Sequence, residues 1–298
     1  MGWRLRGTGT AAGLALAGAA AIALVLVAGA SRGGAAGHGD SGRALFGEAR
    51  QGKVTVPIAA ATSGVQVHEA RVPGRPIVLI DAGHGGRDPG ATAVSGEILE
   101  KQLTLALASE LRDALVRRGR VRVAMTRVAD QYLTLEQRAG IARRLGASLF
   151  LSIHMDSAPN PLARGASVYS LSDIASDEDA ARFAAVENRG ASVGGAGGDT
   201  VESLLSDLAT RGQMNASAEL ASRLVRKASG RVGLRPEPHR FASFHVLRRA
   251  QTSAVLFEAG YLSNAEDELI LRSPEQRAKL VAALAEAVEA HVAARAGR

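Results

Sequence analysis

"IVLIDAGHGGRDPG" (77–90) is the stretch that decides the fold. A strand-like apolar run stops at Asp81, and glycines then surround a single histidine, His84, on a tight loop. Four other short runs of branched apolar residues follow: "VRVAM" (121–125), "SLFLSI" (148–153), "ASVYSL" (166–171) and "SAVLFE" (253–258). Runs of this length and composition are typical of buried strands.

Longer segments with helical spacing separate these strands. In "EKQLTLALASELRDALVRRG" (100–119) leucine recurs every fourth residue, and Gly119 suits the end of a helix. "LTLEQRAGIARRLGA" (133–147) and "SPEQRAKLVAALAEAVEAHVAAR" (273–295) have similar spacing, and the second begins with serine and proline, as helices often do. Alternating strands and helices predict an α/β fold, a single domain with a mostly parallel central sheet and helices on both faces.

The beginning of the chain predicts export. Arg4 and Arg6 precede an unbroken run of small and apolar residues (11–30), so we expect residues 1–30 to be a signal peptide or, because the run approaches the roughly 20 residues that span a bilayer, an uncleaved membrane anchor. Residues 31–75 are rich in Gly, Ala and charge and are interpreted mainly as a linker, in which one or two short strands could form. The catalytic domain is expected at 76–298, and the protein in the periplasm or cell envelope.

Composition limits the chemistry of this 298-residue chain. The absence of cysteine excludes disulfides, cysteine nucleophiles and thiolate metal sites, so any metal must be held by His, Asp or Glu. The net charge of +7 is spread along the chain and mildly favours an anionic partner. Nucleic acid is not expected as a partner, because aromatic platforms and an Arg/Lys-rich helix are lacking and the export signal argues against it.

Four polar residues are expected at one edge of the sheet. His84, His154 and Glu258 each occur at or just beyond the end of a predicted strand, and Glu100 lies near the start of the helix that follows the His84 loop. Ligands of open parallel sheets bind beyond the carboxyl ends of the strands. Residues from distant parts of the chain are therefore predicted to meet at a single site.

Two imidazoles and a carboxylate form the ligand set of a hydrolytic zinc centre, which leaves a coordination position for water. A second carboxylate, Glu258, could take the proton of that water and pass it to a leaving amine. The glycines around His84 would let the backbone turn tightly and approach the ligand.

Each residue also has a simpler interpretation. "AGHGG" (82–86) could be a glycine-rich anion cradle with an incidental histidine, Glu100 could complement a helix N-terminus, and His154 could be a hydrogen-bonded core histidine. Glu258 has fewer such explanations, because burying an unpartnered carboxylate is costly.

From Ile77 to the terminal helix, the chain resembles the zinc-dependent N-acetylmuramoyl-L-alanine amidases of the bacterial division type. The resemblance rests on ordered blocks: "IVLIDAGHGGRDPGA", the pair Glu100–Lys101, "TRVADQYLTLEQR", "LFLSIH", "GASVYSLS", "ENRGASVGG" and "VLFEAGYLSN". It implies that His84, Glu100 and His154 bind Zn²⁺ and that Glu258 is the catalytic carboxylate. Two departures occur at Asp156, where the family often has Asn, and at Arg143, where Asn often follows Ala.

The resemblance also implies a regulatory helix that occludes the zinc. "GASVGGAGG" (190–198) is expected to be a flexible connector, and "DTVESLLSDLATRG" (199–212) an amphipathic helix with an apolar stripe at 201, 204, 205 and 208. We expect 190–213 to be this regulatory insertion, with Glu202 as the residue that reaches the metal. Asp199 and Glu202 also have capping-box spacing, which would explain both locally. A displaceable apolar helix suggests an activator protein.

The expected function is hydrolysis of the amide between N-acetylmuramic acid and L-alanine in peptidoglycan, for wall remodelling and daughter-cell separation. Two alternatives stay open at this point: a zinc peptidase that cuts within the stem peptide, and a non-catalytic protein that binds the wall or regulates its turnover.

Overall fold

A mixed β-sheet of seven strands forms the centre of the part of the chain that the structure, a computed structural model, describes, namely residues 64–189 and 201–296. These residues all belong to one compact unit, Pro57–Arg298. The strands are β1 (Val67–His68), β2 (Ile77–Ala82), β3 (Arg122–Met125), β4 (Leu149–Asp156), β5 (Ala166–Leu171), β6 (Leu234–Ala242) and β7 (Ser253–Tyr261). The helices are α1 (Glu100–Arg118), α2 (Leu135–Leu145), α3 (Glu178–Glu187), α4 (Val201–Ala228), α5 (His245–Ala250), α6 (Ala265–Arg272) and α7 (Pro274–Ala296).

The sheet order is β1-β3-β2-β4-β7-β5-β6. The four central strands β3, β2, β4 and β7 are parallel, as predicted, whereas β1 is antiparallel to β3 and β5 is antiparallel to β7. Because β6 is parallel to β5, the amino ends of these two strands lie at the same edge as the carboxyl ends of β4 and β7. All seven described strands therefore have one terminus at that edge, namely the carboxyl ends of β2, β3, β4 and β7 and the amino ends of β1, β5 and β6.

Helices cover both faces of the sheet, which confirms the predicted layers. On one face, α1, α4 and α7 pack against alternate residues such as Leu151 and Ile153 of β4. On the other face, α2, α3 and α5 pack against Phe150 of β4 and Leu256 of β7. Since strand side chains alternate between faces, His154 and Glu258 share the second face with Phe150 and Leu256.

Two strands lie outside the five apolar runs of the sequence. β1 lies within residues 31–75, the segment interpreted mainly as a linker in which one or two short strands could form, and it adds a short edge strand to the sheet. β6, "LRPEPHRFA", has no run of branched apolar residues and contains two prolines. It forms because it is the outer strand of the sheet, where proline does not remove a required ladder bond.

Within residues 64–189 and 201–296, every helix is too short or too polar to cross a bilayer.

Candidate metal centre

His84, Glu100 and His154 meet at the edge of the sheet where β2 and β4 end. One ligand atom from each lies within 4.8 Å of the others. Glu100 Oε1 is 3.0 Å from His84 Nε2 and 3.2 Å from His154 Nδ1, and the two imidazole rings are 4.9 Å apart in an edge-to-face arrangement. The structure therefore brings together the three residues that the sequence places in a metal site.

The donor atoms of this cluster fit a divalent metal ion. His84 Nε2 and His154 Nδ1 are buried and, among the described residues, have no partner in hydrogen-bond geometry, although a carboxylate oxygen is close to both. Buried polar atoms are normally satisfied, so two ring nitrogens directed at one point beside a carboxylate require an explanation. An N, N, O set is the ligand type of hydrolytic zinc sites, which keep a further position for water.

Two glycines allow the ligands to approach one another. A Cβ on Gly83 would lie 2.5 Å from the His154 ring, and a Cβ on Gly90 would lie 2.5 Å from Glu100 Oε2. His84 itself has a φ of 56°, an uncommon backbone conformation for a residue other than glycine. The tight loop noted in the sequence is thus required by contact between backbone and metal-site side chains, which favours this interpretation over an anion cradle with an incidental histidine.

Asp88 fixes the orientation of His84, a role that the sequence analysis missed. His84 Nδ1 and Asp88 Oδ2 are 3.0 Å apart, which leaves Nε2 of the same ring directed at Glu100. A carboxylate on the outer nitrogen of a ligating histidine holds its tautomer and raises its basicity. The signal was present in the sequence as an acid four residues after His84 on the same loop.

Glu100 is the first residue of α1, so the simpler interpretation as a helix N-terminal acid is correct as far as its position goes. Its carboxylate does more than that. Oε2 accepts a hydrogen bond from the backbone N–H of Ala91 (2.9 Å), and Oε1 accepts one from the N–H of Met155 (2.9 Å). These bonds fix Glu100 between the two histidine-bearing segments.

Two arginines of the block "TRVADQYLTLEQR" support the loop from below. Arg127 donates to the carbonyls of Ala82 and Gly83 at 2.9 and 2.7 Å. Arg138 donates to the carbonyls of Ala82 and His84, both at 2.7 Å, and forms a buried ion pair with Asp81 at 2.7 Å. Burial alone would raise the pKa of Asp81, but Arg138 and two hydroxyl donors outweigh it and lower that pKa. The loop conformation is therefore held by charged donors.

Glu258 lies on β7 directly opposite His154 of β4 and is fully buried. Neither carboxylate oxygen has a hydrogen-bond partner among the described residues. Burial first, and then the charges of Asp156, Glu100 and Glu187, raise the pKa of Glu258 well above its ordinary value. A buried carboxyl with a raised pKa beside a metal-type cluster is suited to accept and return a proton.

Glu187, which the sequence analysis did not single out, reaches the same cluster. It is the last residue of α3, and its Oε2 lies 3.4 Å from His154 Nδ1 and 3.9 Å from His84 Nε2. Burial alone would lower the pKa of His84, but the carboxylates of Glu100, Asp88 and Glu187 raise it to about 11. So much negative charge around two imidazoles is the environment that a divalent cation neutralises.

The predicted regulatory segment is described only in part. Residues 190–200 lie outside the described residues, as does the side chain of Glu202, whose proposed contact with the metal therefore stays a prediction. The predicted helix exists as the first part of α4, which continues to Ala228. Leu208, a member of the expected apolar stripe, is 64% exposed.

A cleft of about 1310 Å³ opens next to the metal cluster. His84, Glu100 and Glu187 line one part of it, and Asp156, Arg235 and Tyr261 line another. Burial raises the pKa of Asp156 to about 6, although hydrogen bonds from Tyr261 and the Ser157 N–H oppose that rise. The cleft is large enough for a peptide or sugar fragment to lie against the cluster.

Comparisons with known proteins agree with this geometry. The family model Amidase_3, described as N-acetylmuramoyl-L-alanine amidase, matches residues 78–290. The chain is 34% identical to N-acetylmuramoyl-L-alanine amidase AmiA of Escherichia coli, a match that covers 72% of this chain and 75% of that protein. It is 33% identical to AmiC of Neisseria meningitidis, where the match covers 73% of this chain and 53% of that protein.

Solved structures show the same fold. The catalytic domain of CwlV, an amidase from Bacillus (Paenibacillus) polymyxa, is 26% identical with a TM-score of 0.53, and the match covers 72% of this chain and 96% of that one. AmiC2 of Nostoc punctiforme is 27% identical with a TM-score of 0.50 and the same coverage of both chains.

Proposed function

The chain belongs to the N-acetylmuramoyl-L-alanine amidase family, and from this premise we propose that it is an exported, Zn²⁺-dependent enzyme that hydrolyses the amide between N-acetylmuramic acid and L-alanine in peptidoglycan. One observation carries the proposal. The two buried, unpartnered ring nitrogens of His84 and His154 point at Glu100 at the edge of the sheet, and Glu258 lies on the adjacent strand.

In this proposal His84 Nε2, Glu100 and His154 Nδ1 would hold the ion. A bound Zn²⁺ would lower the pKa of water to about 7 and polarise the amide carbonyl. Glu258 takes the proton of the attacking water and returns it to the leaving amine of L-alanine. Asp88 keeps Nδ1 of His84 engaged, so that Nε2 remains available as a ligand.

Digestion of purified peptidoglycan tests the reaction and its metal dependence. We expect the activated protein to release free stem peptides and leave unsubstituted glycan, and a chelator to stop it. Glu258→Gln should retain bound metal and lose about 10²–10⁴-fold in rate, whereas Glu266→Gln, at an exposed position nearby, should behave as wild type. Cleavage within the stem peptide would identify a peptidase, and wall binding without release would identify a non-catalytic protein.

Autoinhibition is the second part of the proposal. The carboxylate of Glu187 stands beside both histidines, at the place where water and substrate must enter. The end of α3 is held there by Asn188, whose side chain donates to the Ser243 carbonyl at 2.7 Å and accepts from the His245 N–H at 2.8 Å. We propose that α3 and the segment 190–213 move away together when an activator protein binds, as daughter-cell separation would require.

Two single substitutions separate the candidate occluding residues. Glu187→Ala should raise basal hydrolysis of peptidoglycan, because it removes the carboxylate that lies against the histidines. Glu202→Ala tests the residue expected from the sequence, and Glu178→Ala, at an exposed position of α3, is the control. Unchanged or lower activity of a folded Glu187→Ala protein would argue against occlusion by Glu187. A rise in Glu202→Ala alone would assign that role to Glu202.

The proposal keeps residues 1–30 as an export signal or membrane anchor, residues 31–75 as a linker up to β1, and the periplasm or cell envelope as the place of action. N-terminal sequencing of the protein recovered from cells distinguishes a cleaved signal from a retained anchor.

A further inference from the structure

Arg235 is the cation that lies on the sheet within the substrate cleft. It occupies the second position of β6, whose amino end lies at the same edge of the sheet as the metal cluster. The cleft that begins at His84 and Glu100 continues past Asp156 to Tyr261 and Arg235. A substrate bound for cleavage at the cluster has room to extend towards this guanidinium.

The position of Arg235 is fixed by its neighbours. Its Nη1 donates a hydrogen bond to Tyr261 Oη, and its guanidinium carbon lies 5.8 Å from the centre of that ring. The Tyr261 hydroxyl in turn bonds to the carboxyl of Asp156, which also accepts from the N–H of Ser157 at 2.7 Å. The arginine is half-buried, so its side chain is ordered before any ligand arrives.

The charge of Arg235 has no direct counter-ion in the described part of the chain, since its side-chain partner there is a phenol. The carboxylates of Asp156 and Asp177 are close enough for the charge of Arg235 to lower the pKa of each, but neither is in ion-pair contact with it. A half-buried guanidinium bonded to a neutral group retains donors for an anion.

The other cations that line the cleft are less suited to this role. Arg87 is exposed and stacks on Tyr132 at 4.2 Å, and Arg182 is exposed and pairs with Asp179. Arg182 belongs to α3, and Arg189 lies two residues beyond the end of that helix. Both therefore leave the cleft if α3 moves. Arg235 remains, because it is part of the sheet.

We infer that Arg235 binds a carboxylate of the stem peptide, namely the free α-carboxylate of the acidic residue that follows L-alanine, and so makes the enzyme selective for an acid over an amide at that position. The inference rests on the proposed function, which supplies the chemistry of the peptide on the leaving side of the scissile bond. The carboxylate carbon lies five bonds from the scissile nitrogen, about 6 Å in an extended chain. A guanidinium is the side chain best matched to a carboxylate, which it binds with two parallel donors.

The test compares two ligands that differ only in this carboxylate. The ligands are L-Ala-D-Glu and its α-amide, L-Ala-D-isoglutamine. Calorimetry measures their binding to the full chain loaded with Zn²⁺, both in the wild type and in the Glu187→Ala variant, in which the cleft should be open. We expect about tenfold or greater preference for the acid. Arg235→Gln should abolish the preference, Arg235→Lys should keep part of it, and Arg87→Gln, a cationic control in the same cleft, should keep it whole.

Hydrolysis separates this inference from the proposed function. The same proteins are assayed on N-acetylmuramoyl-L-Ala-D-Glu and on its α-amide. The role of Arg235 is overturned if both compounds are hydrolysed with equal kcat/KM and the two dipeptides bind equally. It is also overturned if both compounds are hydrolysed and neither dipeptide binds. Either result leaves the amidase proposal intact. Acid-selective binding that depends on Arg235, without cleavage of either compound, supports the carboxylate site and overturns the amidase proposal.

Discussion

Replacing Arg138 by methionine is expected to destabilise the protein and weaken its metal site together. The guanidinium of Arg138 forms a buried ion pair with Asp81 and donates to the carbonyls of Ala82 and His84. It therefore connects the core of the sheet to the loop that carries the candidate metal ligand His84. Methionine keeps much of the side-chain volume but none of these donors.

The size of the loss in stability follows from leaving the buried Asp81 carboxylate without its ion-pair partner. Both partners of the ion pair are almost fully buried, with side-chain exposures of 4% and 1%. Removing one partner of such a pair costs about 3–5 kcal/mol, because an uncompensated charge remains. That is a large part of the roughly 5–15 kcal/mol by which domains of this kind are stable.

The loss depends on pH in a defined direction. The folded-state pKa of Asp81 is lowered in the wild type, so its stabilising contribution is present above the unfolded-state pKa and is lost as the pH falls through the folded value. Without Arg138, burial is opposed only by the hydroxyl donors of Thr126 and Ser152, so we expect the pKa of Asp81 to rise. The difference in stability between wild type and Arg138→Met should then be largest at neutral pH and shrink towards pH 4.

Urea unfolding at pH 7 and pH 4, with a chelator present, measures this difference. Arg144→Met, an exposed arginine on the same helix, is the control and should change stability by less than about 0.5 kcal/mol. Asp81→Asn combined with Arg138→Met should show a coupling energy of about 1–3 kcal/mol. Additive single effects, or a loss that does not depend on pH, would refute the assigned role of the ion pair.

Three further predictions concern the metal site and α3. Asp88→Asn should lower Zn²⁺ affinity about 10–100-fold with little change in fold, as measured by competition with a chromogenic chelator, because the carboxylate that orients His84 is lost. Gly83→Ala should abolish metal binding even in protein that stays folded, because its Cβ would meet the His154 ring at 2.5 Å. Asn188→Ala should raise basal hydrolysis of peptidoglycan and speed amide exchange in α3, because both hydrogen bonds that hold the end of that helix are removed.

The layers of the fold could be predicted because, in the central helices and strands, the spacing of apolar residues and the residue types indicate the same secondary structure. The leucines at 103, 107, 111 and 115 of α1 are all buried, as the four-residue spacing indicates. The central strands are buried on both faces and so appear in the sequence as continuous apolar runs. β6 lacks this signal, since an outer strand with two prolines resembles a loop when its neighbours are unknown.

The metal cluster could be predicted because sheet topology, not sequence distance, brings its members together. His84 follows β2 and His154 lies near the end of β4, and these adjacent parallel strands end at a common edge. No such topological rule predicts the contacts of Asp88, Arg138 and Arg235. Their roles depend on which carbonyl, ring or carboxyl each side chain contacts, and those contacts join residues up to 57 positions apart, as in the pair of Arg138 with Asp81.

The proposed role of Glu187 illustrates why an occluding residue is difficult to find from periodicity. An apolar stripe drew attention to residues 201–208, but the carboxylate that lies against the histidines belongs to the preceding, shorter helix. α3 buries Ala180 and Ala184 and packs the partly buried Phe183 against the core, whereas α1 buries four leucines. Because hydrophobic stabilisation scales with the apolar area buried, at about 25 cal/mol per Å², release of α3 with its two buried alanines and one partly buried phenylalanine costs less than release of α1. Lighter packing than that of the core helices is the property expected of a helix that moves as proposed, and a search for strong apolar stripes overlooks it.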